Sequence, residues 1–131
     1  MVLISQEDIL RALKRFKGIA KQELLAQDFD PESGLRKTHA EARREIYATL
    51  IDLVEQSGVE DACVFAFNKY LDLTTESNVP LAQGYSQALE MFFNIIGVSS
   101  EQLKQLKVEN INPNQFLNMI SPTNNYFCPQ P

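Results

Sequence analysis

The sequence predicts an all-α fold: a compact bundle of four main helices followed by one or two short C-terminal helices. Three observations predict it. Apolar residues recur three and four positions apart along the main segments. Helix-start and helix-stop residues stand between those segments. The connections are short, which makes successive helices antiparallel neighbours.

The first segment opens at Ser5, whose hydroxyl can accept from the backbone N–H groups of the next turn. Glu7 and Asp8 suit the positive end of a helix dipole. Ile9, Leu13, Phe16, Ala20 and Leu24 then share one face, so a helix is expected from Gln6 to about Gln27. Gly18 is its weak point, costing about 1 kcal/mol relative to Ala. Asp28 to Gly34 gathers proline, glycine and short polar side chains and is read as a turn.

The second segment is expected to open at Thr38-His39-Ala40-Glu41, a capping-box pattern, and to stop at Ser57-Gly58. Ile46, Leu50, Leu53 and Val54 form its stripe. The third contains Ala62 to Phe67, apolar on every side. A run this short fits a buried strand as well as a buried helix. A helix over Val59 to Leu73 is preferred, because Glu60 and Asp61 suit a first turn and Phe67, Tyr70 and Leu71 continue a helical stripe.

After a loop over Thr74 to Val79, Pro80 sits where a missing N–H costs nothing, in the first turn of the fourth segment. Tyr85, Ala88, Leu89, Phe92, Phe93 and Ile96 follow, and Gly97 closes it. Ser99 to Gln102 is a second capping-box pattern, opening a short fifth segment with Leu103 and Leu106. Asn112-Pro113 opens a final turn or two carrying Phe116, Leu117 and Ile120. The third segment is expected at the centre of the bundle. Leu53 to Val59 and Phe92 to Val98 echo one another, each an apolar helix end followed by Gly-Val.

With 131 residues, 44% hydrophobic and 22% charged, the chain suits one domain, expected over 1–122, with a flexible tail over 123–131. Two cysteines are too few for a disulfide framework. Cys63 is expected as a buried small hydrophobe and Cys128 as an exposed free thiol. No signal peptide and no run of the ~18 apolar residues that a membrane span needs is visible, so the expectation is a cytoplasmic protein.

The chemistry-bearing motifs are weak. Asp28, Asp30 and Glu32 alternate as in a calcium loop, but an EF-hand would need Gly and Glu where Ser33 and His39 stand. His39 is the only histidine; with Glu41 and Glu45 it cannot complete a zinc or di-metal set, and an exposed first-turn histidine is expected. No nucleophile–base pair and no phosphate-binding glycine loop stands out. No cofactor, metal or catalytic residue is therefore assigned. The tract from Ile96 to Leu106 resembles the turn of a DNA-binding helix-turn-helix, with Phe92, Ile96, Val98, Leu103 and Leu106 at its buried positions. Phe93 stands where that motif needs a small residue, and Glu101 would face phosphate. The expectation is an ordinary two-helix corner.

Charge is more informative. The net charge is −5, yet residues 1–50 hold nine of the twelve Lys and Arg against eight acids. Arg11, Lys14, Arg15, Lys17 and Lys21 gather on the face of the first segment opposite its apolar stripe. Arg36, Lys37, Arg43 and Arg44 extend that face if the second segment packs alongside. The leading expectation is a non-catalytic module that binds another protein and self-associates, with Met91, Phe92 and Phe93 as apolar anchors. The second is a nucleic-acid-associated regulator using the basic face. The third is a small-molecule binder or enzyme using a groove between helices.

Overall fold

The computed structural model describes residues 5–27, 34–73 and 79–120. Among them are six helices and no strand: α1 Gln6–Gln27, α2 Gly34–Ser57, α3 Val59–Leu73, α4 Pro80–Ile95, α5 Ser100–Val108 and α6 Pro113–Ile120. The 28–33 turn, with its alternating carboxylates, lies outside the described residues. So do the 74–78 loop and the tail with Cys128.

Local signals explain most boundaries. Ser5 Oγ accepts from the Asp8 backbone N–H at 3.2 Å, opening α1. Pro80 starts α4 as its first helical residue. The run in α3 is helical, with Ala62, Cys63, Ala66, Phe67, Tyr70 and Leu73 buried. One boundary differs from expectation. α2 begins at Gly34, so Thr38 lies inside the helix. Its hydroxyl donates to the Gly34 carbonyl one turn back, at 2.9 Å, instead of capping a new helix.

Phe16 of α1 stacks on Tyr47 of α2 with ring centroids 6.0 Å apart. Gln6, at the start of α1, donates to the Val54 carbonyl near the end of α2 at 3.2 Å. α1 and α2 are therefore antiparallel. Gly58 alone separates α2 from α3, with φ 103° and its N–H shared between the Leu53 and Val54 carbonyls.

The expectation that α3 forms the centre is corrected: α2 does, packing against α1, α3 and α4. Its buried residues span a wide arc at the helical period of 3.6. Tyr47, Ala40 and Ile51 lie to one side of Leu50 and Val54, with Ala42 and Ile46 to the other, all buried. Small residues let α4 approach. A Cβ built on Gly84 of α4 would lie 2.6 Å from Ala42 Cβ and 2.8 Å from the His39 carbonyl oxygen.

Two successive joints place the C-terminal helices. At the first, Gly97 has φ 93°. The Gly97 N–H bonds the Asn94 carbonyl, and the Val98 N–H bonds that of Phe93. This pair of bonds is a Schellman motif. Ser99 and Gln102 then form a capping box for α5. The second joint repeats this, with Asn110 at φ 55° taking the glycine's place. Asn110 and Ile111 bond back to Lys107 and Leu106, and Asn112 and Gln115 cap α6 reciprocally at 2.8 and 2.9 Å. The recurrence in this chain is thus between these two joints. The Gly58-Val59 junction shares the left-handed glycine and the valine after it, but not this pair of bonds.

α6 matters most through Phe116. Its ring stacks on Phe67 of α3 at 4.5 Å and meets Phe93 of α4 edge-on at 5.5 Å. Those two rings, part of the apolar surplus seen in the sequence, are covered from within the chain.

Gly18 behaves differently from Gly84. It is exposed in the middle of α1, and an added Cβ would meet nothing within 4 Å. Gly18→Ala should therefore raise the unfolding free energy by about 0.5–1 kcal/mol. Urea denaturation checks this; an unchanged midpoint would count against it.

Candidate interaction surface

α1 and α2 carry nine of the twelve Lys and Arg side chains, and the structure sorts those of the basic face into partnered and unpartnered groups. Arg11 reaches Asp8 at 3.2 Å and Glu7 at 3.4 Å on its own helix. Lys14 reaches Glu55 of α2 at 3.7 Å. These pairs are exposed and add little stability. Arg15, Lys17 and Lys21 have no ion-pair or hydrogen-bond partner among the described residues, nor does Arg44. Arg15 borders a shallow depression of about 280 Å³ with Asp8, Arg11, Ala12 and Phe16. Lys17 and Arg44 face a groove of about 290 Å³ between α1 and α2, together with Leu24, Glu41, Glu45 and Ala48. Lys21 is exposed one turn beyond Lys17.

α2 does pack alongside α1, but its cations divide. Arg44 joins the groove. Arg43 turns the other way, pairing with Glu23 of α1 and donating to Gln87 of α4 at 2.9 Å. His39 lies near it, with Nε2 3.1 Å from Gln83 Oε1. It is half-buried between α2 and α4 rather than exposed in a first turn, because α2 starts earlier than Thr38. Both contacts span the same number of residues, so α2 and α4 run parallel. Glu23, Arg36, His39 and Arg43 line a smaller cavity of about 150 Å³. Tyr85 donates to Glu45 at 2.8 Å, while Lys69 lies 4.9 Å over its ring. These polar ties between helices were missed from sequence. Their one legible signal is the matching four-residue spacing of His39/Arg43 and Gln83/Gln87.

The apolar anchors are corrected. Phe92 and Phe93 are fully buried and offer no surface to a partner. Met91 is half-buried against the same core. The large apolar side chains that stay exposed are separate ones, including Leu25 at 57% and Val108 at 78%.

Among the described residues, the groups with shifted titration are one thiol and three tyrosines, each pushed up chiefly by burial. Burial pushes the Cys63 thiol up from its ordinary 9.0 to about 12, aided by Glu60; at neutral pH it is a buried thiol, not a nucleophilic thiolate. Burial likewise pushes Tyr47 and Tyr85 from 10.0 to about 12. The Glu45 carboxylate adds to the effect on Tyr85 by hydrogen bond and charge. At Tyr47 the Arg43 guanidinium opposes it.

Each raised group binds its proton more tightly in the folded chain than in the unfolded one. Its stabilisation is therefore complete below the ordinary value and lost as pH climbs through the raised one. Stability should fall from about pH 9 towards pH 12, as denaturant midpoints taken across that range would show. A midpoint that stayed flat would contradict it.

Among the described residues, no three His, Cys, Asp or Glu side chains converge on a common point that could hold a metal ion. No helix there is long and apolar enough to cross a membrane. No protein-family model matches the chain, and no curated protein or solved structure matches it either.

Proposed function

We propose that this chain is a non-catalytic helical module that binds an acidic partner protein through the basic face of α1. The observation that carries the reading is the set of cations left without a partner among the described residues. Arg15, Lys17 and Lys21 on α1 stand beside Arg44 on α2, in a chain whose net charge is −5. Such a local patch steers an oppositely charged partner and fixes its register. Cytoplasmic residence belongs to the same proposal, supported by the composition. Self-association loses the support of Phe92 and Phe93, which are buried within the chain.

The test is a pull-down from native extract, with and without nuclease, using the native chain and an Arg15→Glu/Lys17→Glu/Lys21→Glu variant. A stoichiometric protein that survives nuclease and is lost with the variant is the expected result. Recovery that collapses with nuclease alone would replace this reading with the nucleic-acid one. A partner retained equally by both chains would reduce the patch to solvated surface.

A further inference from the structure

Among the described depressions, the groove between α1 and α2 alone joins unpartnered cations from two helices to an apolar floor. From α1, Lys17 and Leu24 line the groove; at the helical period Lys14 and Lys21 lie one turn to either side of Lys17 on the same face, and Leu25, 57% exposed, follows Lys21 by one turn more. At 1.5 Å per residue the three lysines span about 10 Å along the helix axis. The α2 bank carries Arg44, and Leu24 and Ala48 lie between the banks. Lys14 is engaged only by its exposed contact with Glu55, which a partner carboxylate can replace at little cost.

Two carboxylates also line the groove, and they decide what fits. Glu45 accepts from the Tyr85 hydroxyl at 2.8 Å. Glu41 has no partner among the described residues. A polyphosphate backbone presents negative charge along its whole length and would meet both carboxylates. A helix can instead set carboxylates towards the lysine bank and leave neutral or basic side chains towards Glu41. Side chains three, four and seven residues apart lie along one face of a helix, the spacing of the lysines themselves.

We propose that the α1–α2 groove receives an acidic amphipathic helix of the partner protein, its carboxylates against Lys14, Lys17, Lys21 and Arg44 and its apolar side chains on Leu24, Ala48 and Leu25. This inference rests on the interaction-module reading and narrows it to one groove and one kind of segment.

The probe is a synthetic helical peptide with glutamates three, four and seven residues apart beside a leucine stripe. Its lysine-for-glutamate counterpart and a DNA duplex serve as comparisons. Each is titrated into the full chain while backbone amide resonances are followed. The glutamate peptide should shift the amides of Lys17, Leu24, Arg44 and Ala48. Lys17→Glu/Arg44→Glu should weaken its binding by about tenfold or more, and Lys104→Glu/Lys107→Glu on the exposed side of α5 by less than about twofold. All four positions are on the surface, and circular dichroism confirms that the variants fold.

Glutamate-peptide binding that survives Lys17→Glu/Arg44→Glu but is lost with Arg11→Glu/Arg15→Glu would overturn the groove while leaving the module reading intact. No binding of the glutamate peptide, or equal binding of the lysine peptide, would overturn the groove proposal; the pull-down then decides separately whether the module reading stands. Stronger shifts of the same amides by the duplex would overturn it in favour of nucleic acid.

Discussion

Phe116→Ala should lower the unfolding free energy by about 3–5 kcal/mol, the usual cost of truncating a buried phenylalanine. The ring is fully buried. It lies almost parallel to Phe67, with 3° between the planes, and perpendicular to Phe93 at 88°. Its removal deletes both aromatic contacts and leaves a void. Collapse into that void is limited, because the reciprocal caps at Asn112 and Gln115 fix the direction in which α6 leaves the preceding joint. The variant should also expose the faces of Phe67 and Phe93 and associate as concentration rises. Urea denaturation followed by circular dichroism measures the first effect and light scattering the second. A loss below about 1 kcal/mol would show that α6 is not a structural part of the core.

Gly84→Ala should be destabilising by about 1–3 kcal/mol, although alanine is the better helix former by about 1 kcal/mol. The new methyl group would lie 2.6 Å from Ala42 Cβ, 2.8 Å from the His39 carbonyl oxygen and 3.0 Å from His39 Cα. Two of those atoms are α2 backbone and cannot rotate away. α4 would have to move outward, stretching the His39–Gln83 and Arg43–Gln87 contacts on that seam. Ala42→Gly in the same chain should restore only part of the loss, since the His39 backbone stays in place. Complete rescue would assign the strain to the Ala42 methyl alone. The contrast with Gly18→Ala separates space from propensity, because the same substitution on another helix has the opposite expected sign.

These two sites also show what a linear reading can and cannot reach. The limits of α1, α3 and α4 were legible because their signals are local: Ser5 before its helix, Pro80 at the start of another, and Gly97 after it. Thr38 misled because a hydroxyl can cap a new helix or bond back within an existing one, and the four residues before it decide which. The central place of α2 was hidden because Ala40, Ala42 and Gly84 carry little hydrophobic signal. Their importance is a closeness between two helices that neither helix states alone. Phe93 looked like surplus because a residue that covers it, Phe116, lies in a helix of only eight residues. The basic face of α1 was legible as a pattern. Its division into paired and unpaired cations was only partly local: Arg11 meets Glu7 and Asp8 on its own helix, Lys14 meets Glu55 of α2, and Arg15, Lys17 and Lys21 have no partner among the described residues.

The paired joints around α5 make that helix a length gauge. Each joint sets an angle from its own few residues, so α5 alone sets the rotation between them. Adding one residue to its nine would turn everything downstream by about 100° and advance it by about 1.5 Å. Phe116 would then point away from Phe67, however well α6 itself still formed. Substitutions on the exposed side of α5 should be tolerated widely, whereas a single insertion or deletion there should act like the loss of the Phe116 ring.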